Sequence, residues 1–189
     1  MVFITLNEII DIVFMTFAIG FIFSDIFKRE PLEGYDPLKY YSRTGMWENI
    51  KFAAMIAAPA VVLHELAHKF VALGFGAQAT LHAPYTIYMI VILLKLVRFP
   101  LLFFVGGYVA HTLLPPLESA AVSIVGPLTN LAIWLSILAI VRFNLVNKKY
   151  YRILEPMAKL NMFLFIFNMI PLPGFDGYNF LSSLFSAFA

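Results

Sequence analysis

No cysteine occurs anywhere in the chain. Its absence excludes disulfides, thiolate metal sites, iron–sulfur clusters and a cysteine nucleophile together. Any metal must then be held by His and carboxylate side chains. Charge is also scarce: 13% of residues are Asp, Glu, Lys or Arg, about half the roughly 25% of soluble proteins. The 13 Lys and Arg residues are scattered. Nucleic-acid binding needs a dense basic stripe, so no nucleic-acid partner is expected. Before Lys28 there is no Lys or Arg, and the first apolar run ends in no small-residue cleavage pattern. That run therefore reads as a retained span rather than a signal peptide.

Apolar side chains are what the sequence has in excess. Hydrophobic residues make up 61% of the chain, and Phe alone occurs 20 times. A small soluble core cannot enclose that much apolar surface, so much of it must face lipid. The expected fold is an all-α polytopic bundle of four to six transmembrane helices, a single domain over 1–189, set multi-pass in the cell membrane. Residues 9–27, 49–73 and 119–141 each form an apolar run long enough to cross hydrocarbon. Glu8 and Asp11 share a helical face at the start of the first run, where solvation at the membrane interface is expected. Residues 85–94 are apolar but short, and Lys95, Arg98 and Pro100 then interrupt the run. A re-entrant helix, an interfacial helix and a charged span all fit that pattern; Lys95 and Arg98 are expected to snorkel to headgroups. Residues 101–111 hold two β-prone runs around Gly106-Gly107, the pattern of a small hairpin. Residues 157–170 form a short apolar helix that Pro171-Leu172-Pro173-Gly174 stops, and the chain resumes at Asp176. A broken helix at membrane depth is tolerated only beside protein or a water-filled cavity, and so tends to mark a site.

The second run contains His64-Glu65-Leu66-Ala67-His68. Two His at i and i+4 stand one turn apart on one helical face and can grip a single zinc ion. Glu65 stands at the edge of that face, within reach of a water activated by the metal, as a general base. Ionisable groups in an apolar span are costly unless they are paired or metal-bound. Two His leave a catalytic zinc site one ligand short. Asp176, just beyond the helix break, is the candidate carboxylate; His82 and His111 are the other imidazoles, each more readily explained as a hydrogen-bonded structural residue.

Taken together, the motifs resemble the site-2 protease family of intramembrane zinc metalloproteases. That family carries His-Glu-x-x-His in one transmembrane helix and Asn-x-x-Pro-x-x-x-x-Asp-Gly in a later one. Here the second motif is Asn168, Pro171, Asp176 and Gly177, and Gly126-Pro127-Leu128-Thr129-Asn130 resembles the family's Gly-Pro-x-x-Asn signature. The resemblance covers about residues 61–180. It implies one zinc per chain on His64, His68 and Asp176, with Glu65 as catalytic base and then acid. It also implies that Asn168 holds the substrate carbonyl or oxyanion, with Asn130 as a weaker candidate for ordering the region. The implied substrate is the transmembrane segment of another membrane protein, unwound and paired against an edge strand. Residues 101–111 are the candidate for that strand. Many family members carry PDZ or CBS domains; no stretch here is long and polar enough for either, which implies a minimal core. Two other readings use the same residues: a membrane transporter or sensor of divalent metal, and an inactive homologue that binds membrane helices without cutting them.

Overall fold

A computed structural model describes residues 3–28, 45–99 and 105–189. Six helices and one two-stranded sheet are present among them. Three of the helices are long and apolar enough to cross a membrane: α1 (Leu6–Phe23), α2 (Met46–Gly74) and α4 (Pro116–Arg142). Between α2 and α4 lie β1 (Ala79–His82), the short helix α3 (Tyr85–Leu96) and β2 (Tyr108–His111). After α4 come a 3₁₀ turn at Lys148–Tyr150, α5 (Tyr151–Asn168) and α6 (Asp176–Phe188). The chain is thus an all-α membrane bundle with a small antiparallel sheet.

The main core lies between α1 and α2. Met15, Ile19 and Ile22 of α1 pack with Ala53, Ile56, Ala57 and Ala60 of α2. Small residues on α2 let the two backbones approach closely, the usual means of helix association in lipid. Outward-facing Leu128, Leu135 and Leu138 of α4 are exposed, as expected of a helix side turned to hydrocarbon. Pro59 lies inside α2 without ending it.

α3 lies alongside α1 and runs in the same direction, and its length sets aside one of the three readings its sequence allows, a span of its own. Near its start the Tyr85 hydroxyl donates to the Asp11 carboxylate. Ten residues later Lys95 Nζ donates to the carbonyls of Phe21 and Ile22 and to Ser24 Oγ, at the other end of α1. Twelve residues give about 18 Å, too short to cross alone. Lys95 therefore caps the C-terminal end of α1 rather than snorkelling, because carbonyls of the last turn lie within its reach.

Glu8 also departs from expectation. It is 1% exposed, not solvated. The reason is a partner far along the chain: Lys69 Nζ of α2 donates to Glu8 Oε1. Glu8 also closes a capping box with Thr5 at the start of α1.

The β element at 101–111 differs in its pairing. The strand Tyr108–His111 is present, but it pairs antiparallel with Ala79–His82, register Ala79 with His111 and His82 with Tyr108. The run 101–104, expected as the hairpin's other arm, lies outside the described residues, as does most of the polar loop 28–48. α5 begins at Tyr151 and so is 18 residues long rather than 14. The break after it is where expected: the chain turns after Asn168, and helix resumes at Asp176. Gly177 makes that turn possible, since a Cβ there would come 2.5 Å from the Met169 carbonyl oxygen.

Candidate metal centre

His64 and His68 lie on the inner face of α2, both buried. The break between α5 and α6 brings Asp176 against them. Its Oδ2 is 3.0 Å from His64 Nε2 and 3.4 Å from His68 Nε2, and the two Nε2 atoms are 3.1 Å apart. Among the described residues these three form the group able to hold a metal ion. The sequence places them 112 positions apart at the extremes; the fold brings their donor atoms to one point.

The hydrogen bonds behind the rings test whether a cation fits there. His64 Nδ1 is 2.7 Å from Asn130 Oδ1. The Asn130 amide nitrogen donates to Ala60 O and to Asn161 Oδ1, both at 2.9 Å. Its oxygen is therefore the acceptor, and His64 Nδ1 carries the proton. His68 Nδ1 is 2.6 Å from the Val122 carbonyl, which can only accept, so it too carries its proton. In its neutral form each ring then turns the lone pair of Nε2 toward the Asp176 carboxylate. Three lone-pair donors facing one another repel unless a cation sits among them. Tetrahedral ligands about 2.0–2.1 Å from an ion stand about 3.3 Å from each other, close to the spacing found. Two imidazoles and one carboxylate leave a fourth position open, as catalytic sites require.

Asn130, expected only to order the region, hydrogen-bonds the candidate ligand His64 directly in the fold. Asn161 of α5 carries no motif signal, yet it is fully buried and fixes Asn130. Its own amide nitrogen donates to Met157 O at 2.8 Å. Partners that orient metal-bound imidazoles typically contribute 10–100-fold in metal affinity. Asn130→Ala should weaken metal binding by about that factor, measured by competition with a chromogenic chelator. Asp176→Asn should lower metal content sharply, because a neutral amide is a far poorer ligand than a carboxylate; metal analysis of the purified variant checks it.

Gly126 accounts for the glycine of the Gly-Pro-x-x-Asn segment. A Cβ there would come 2.2 Å from His68 Nε2 and 2.7 Å from His64 Cε1. Only a bare backbone lets α4 pass this close to the rings, and Asn130 lies one helical turn further along the same face.

Glu65 is also buried and lines the same cavity, of about 370 Å³, as the three metal-facing side chains. The Gly107 N–H donates to Glu65 Oε1 at 3.1 Å, so the segment leading into β2 holds the carboxylate. Asn168 lines this cavity as well, at the end of α5. His111 is exposed on its rim, with Nδ1 hydrogen-bonded to the Thr112 carbonyl at 2.9 Å. His82 lies 4.0 Å from Asp11, away from the metal-facing group.

Two proteins of Methanocaldococcus jannaschii are similar to this chain. One, which bears a provisional zinc metalloprotease name, is 30% identical over 173 residues, covering 90% of this chain and 81% of the relative. The other, named a zinc metalloprotease, is 29% identical over 126 residues, covering 67% of this chain and 32% of the relative. The chain thus matches about a third of that longer protein. No protein-family model matches the chain, and no solved structure does. With that identity running over nearly its whole length, and with two imidazoles and a carboxylate converging beside a buried glutamate, the chain belongs to the zinc metalloprotease family of the first relative.

Proposed function

We propose that this chain is an intramembrane zinc endopeptidase of the site-2 protease type, cutting the transmembrane segment of another membrane protein. The observation that carries the reading is the convergence of His64, His68 and Asp176 beside Glu65, on elements that include a span-length apolar helix. His64, His68 and Asp176 would hold the zinc, which when bound would supply a Lewis acid and lower the pKa of a water molecule to about 7. Glu65, one residue beyond His64, accepts the proton of the attacking water. The water oxygen adds to the scissile carbonyl carbon, the C–N bond breaks, and Glu65 passes the proton to the leaving amine. The Gly107 N–H keeps the carboxylate aimed while it changes charge. Asn168 lines the same cavity, which supports a role in hydrogen-bonding the carbonyl oxygen as negative charge develops on it.

A helical substrate hides its peptide bonds in i to i−4 hydrogen bonds and must unwind before it is cut. Among the described residues no strand pairs with the outer edge of β2, which supports a way to hold the unwound strand. The Thr112 N–H donates to the Gln78 carbonyl, so residues 108 and 110 turn their backbone groups toward β1. Val109 and His111 then turn theirs outward, and both line the cavity that holds Glu65. A substrate strand paired there would satisfy its amides and turn one carbonyl toward His64, His68 and Asp176.

A metal transporter needs no base beside its ligands, whereas Glu65 is held by a backbone donor inside the site. The hydrolase reading is tested by incubating the detergent-purified chain with a model membrane segment. Cleavage should stop on zinc chelation and return on zinc addition; cleavage indifferent to chelation would refute it.

A further inference from the structure

A two-stranded sheet has two free edges, and each is a template for strand addition. Here one of them is closed by a side chain. The alternation that turns Val109 and His111 outward on β2 also turns Leu81 outward on β1. The Leu81 N–H does not await a partner: it donates to Glu8 Oε1 at 2.8 Å. The same carboxylate oxygen takes the ammonium of Lys69, the residue after the metal-facing His68. The other oxygen accepts from the Thr5 N–H at 2.7 Å and the Thr5 hydroxyl at 3.0 Å. Every donor around Glu8 is thus oriented by α1, α2 or β1. Glu8 and Lys69 are each 1% exposed, so the cluster is part of the interior. A buried ion pair contributes little to net stability beyond what packed apolar residues of similar size would give. Its placement on the outward amide of β1 gives it another use.

We propose that Glu8 closes the outer edge of β1, leaving the β2 edge beside the metal-facing residues as the one on which an extended substrate segment pairs. Glu8 is a positioning residue: it touches neither substrate nor metal and acts through the sheet. A strand added to β1 would lie one strand further from Glu65 and hold no bond at the site. The inference rests on strand addition as read above, and its test does not depend on cleavage.

Two double variants of the full chain separate edge closure from charge balance. Glu8→Gln with Lys69→Met removes both charges but keeps an oxygen for the Leu81 N–H. Glu8→Met with Lys69→Met removes both charges and the acceptor. An uncleavable apolar segment bearing a photo-crosslinker is bound to each protein, and the attachment sites are mapped by mass spectrometry. Crosslinks should fall on residues 108–111 in the parent and in the Gln/Met protein. In the Met/Met protein they should spread to residues 79–82. There the Leu81 amide should also exchange with deuterium about tenfold faster or more, the equivalent of a lost hydrogen bond to a charged group. Metal content should be equal in all three. Crosslinks confined to 108–111 in the Met/Met protein despite a freely exchanging Leu81 amide would overturn the proposal, as would crosslinks to β1 in the parent. Edge choice as expected in a chain that cuts nothing would instead refute the peptidase reading alone.

Discussion

Replacing Glu65 with Gln leaves the metal in place and lowers the rate of peptide hydrolysis by about 10²–10⁴-fold, the usual contribution of a positioned general base. The amide has nearly the carboxylate's shape and retains an oxygen for the Gly107 N–H. It cannot take a proton from water, so the loss falls on kcat while substrate affinity changes little. Metal analysis and single-turnover cleavage of the same preparation check both halves. A metal transporter using the same ligands would tolerate this substitution.

Gly126→Ala acts on the other half of the site and should lower metal affinity by at least about 100-fold, beyond the usual effect of disturbing an orienting partner. The added methyl meets both rings at once, 2.2 Å from His68 Nε2 and 2.7 Å from His64 Cε1. Those atoms lie on the metal-facing side, so relief of the clash must turn the donors away from Asp176. Alanine favours helix over glycine by about 1 kcal/mol, so α4 itself should persist and far-UV circular dichroism should change little. Gly74→Ala is the control, because a Cβ there meets nothing within 4 Å; it should bind metal as the parent does.

The helical membrane fold and the candidate site are both legible in the sequence, and the contacts between distant segments are not. His64, Glu65 and His68 reveal themselves because a helix of fixed pitch turns i and i+4 to one side, a local rule that needs no tertiary information. Asp176 is readable because Pro171 and Gly174 force a break just before it. Asn161 is not: an amide in a membrane-protein helix is common, and its importance comes from Asn130, 31 positions away. The buried state of Glu8 is hidden for the same reason, its ammonium partner lying 61 positions on. β1 is hard to see because four residues carry too little alternation to register, and their partner strand lies beyond an intervening helix. Likewise Lys95 reads as a headgroup anchor in the sequence, whereas the fold sets the carbonyls at the end of α1 beside it. Local periodicity exposes ligands and spans; polar contacts across the bundle are decided by packing between distant segments.

The central claim is that zinc held by His64, His68 and Asp176 drives hydrolysis of a peptide bond inside the apolar segment of a membrane substrate. It is tested most directly in liposomes holding the chain and a single-span substrate in H₂¹⁸O, with the intact masses of both products measured. The account predicts new termini within the apolar segment, one ¹⁸O in the new carboxyl group, and no product after zinc chelation or in Asp176→Asn. Cuts confined to the soluble flanks, or undiminished cleavage in Asp176→Asn, would contradict it.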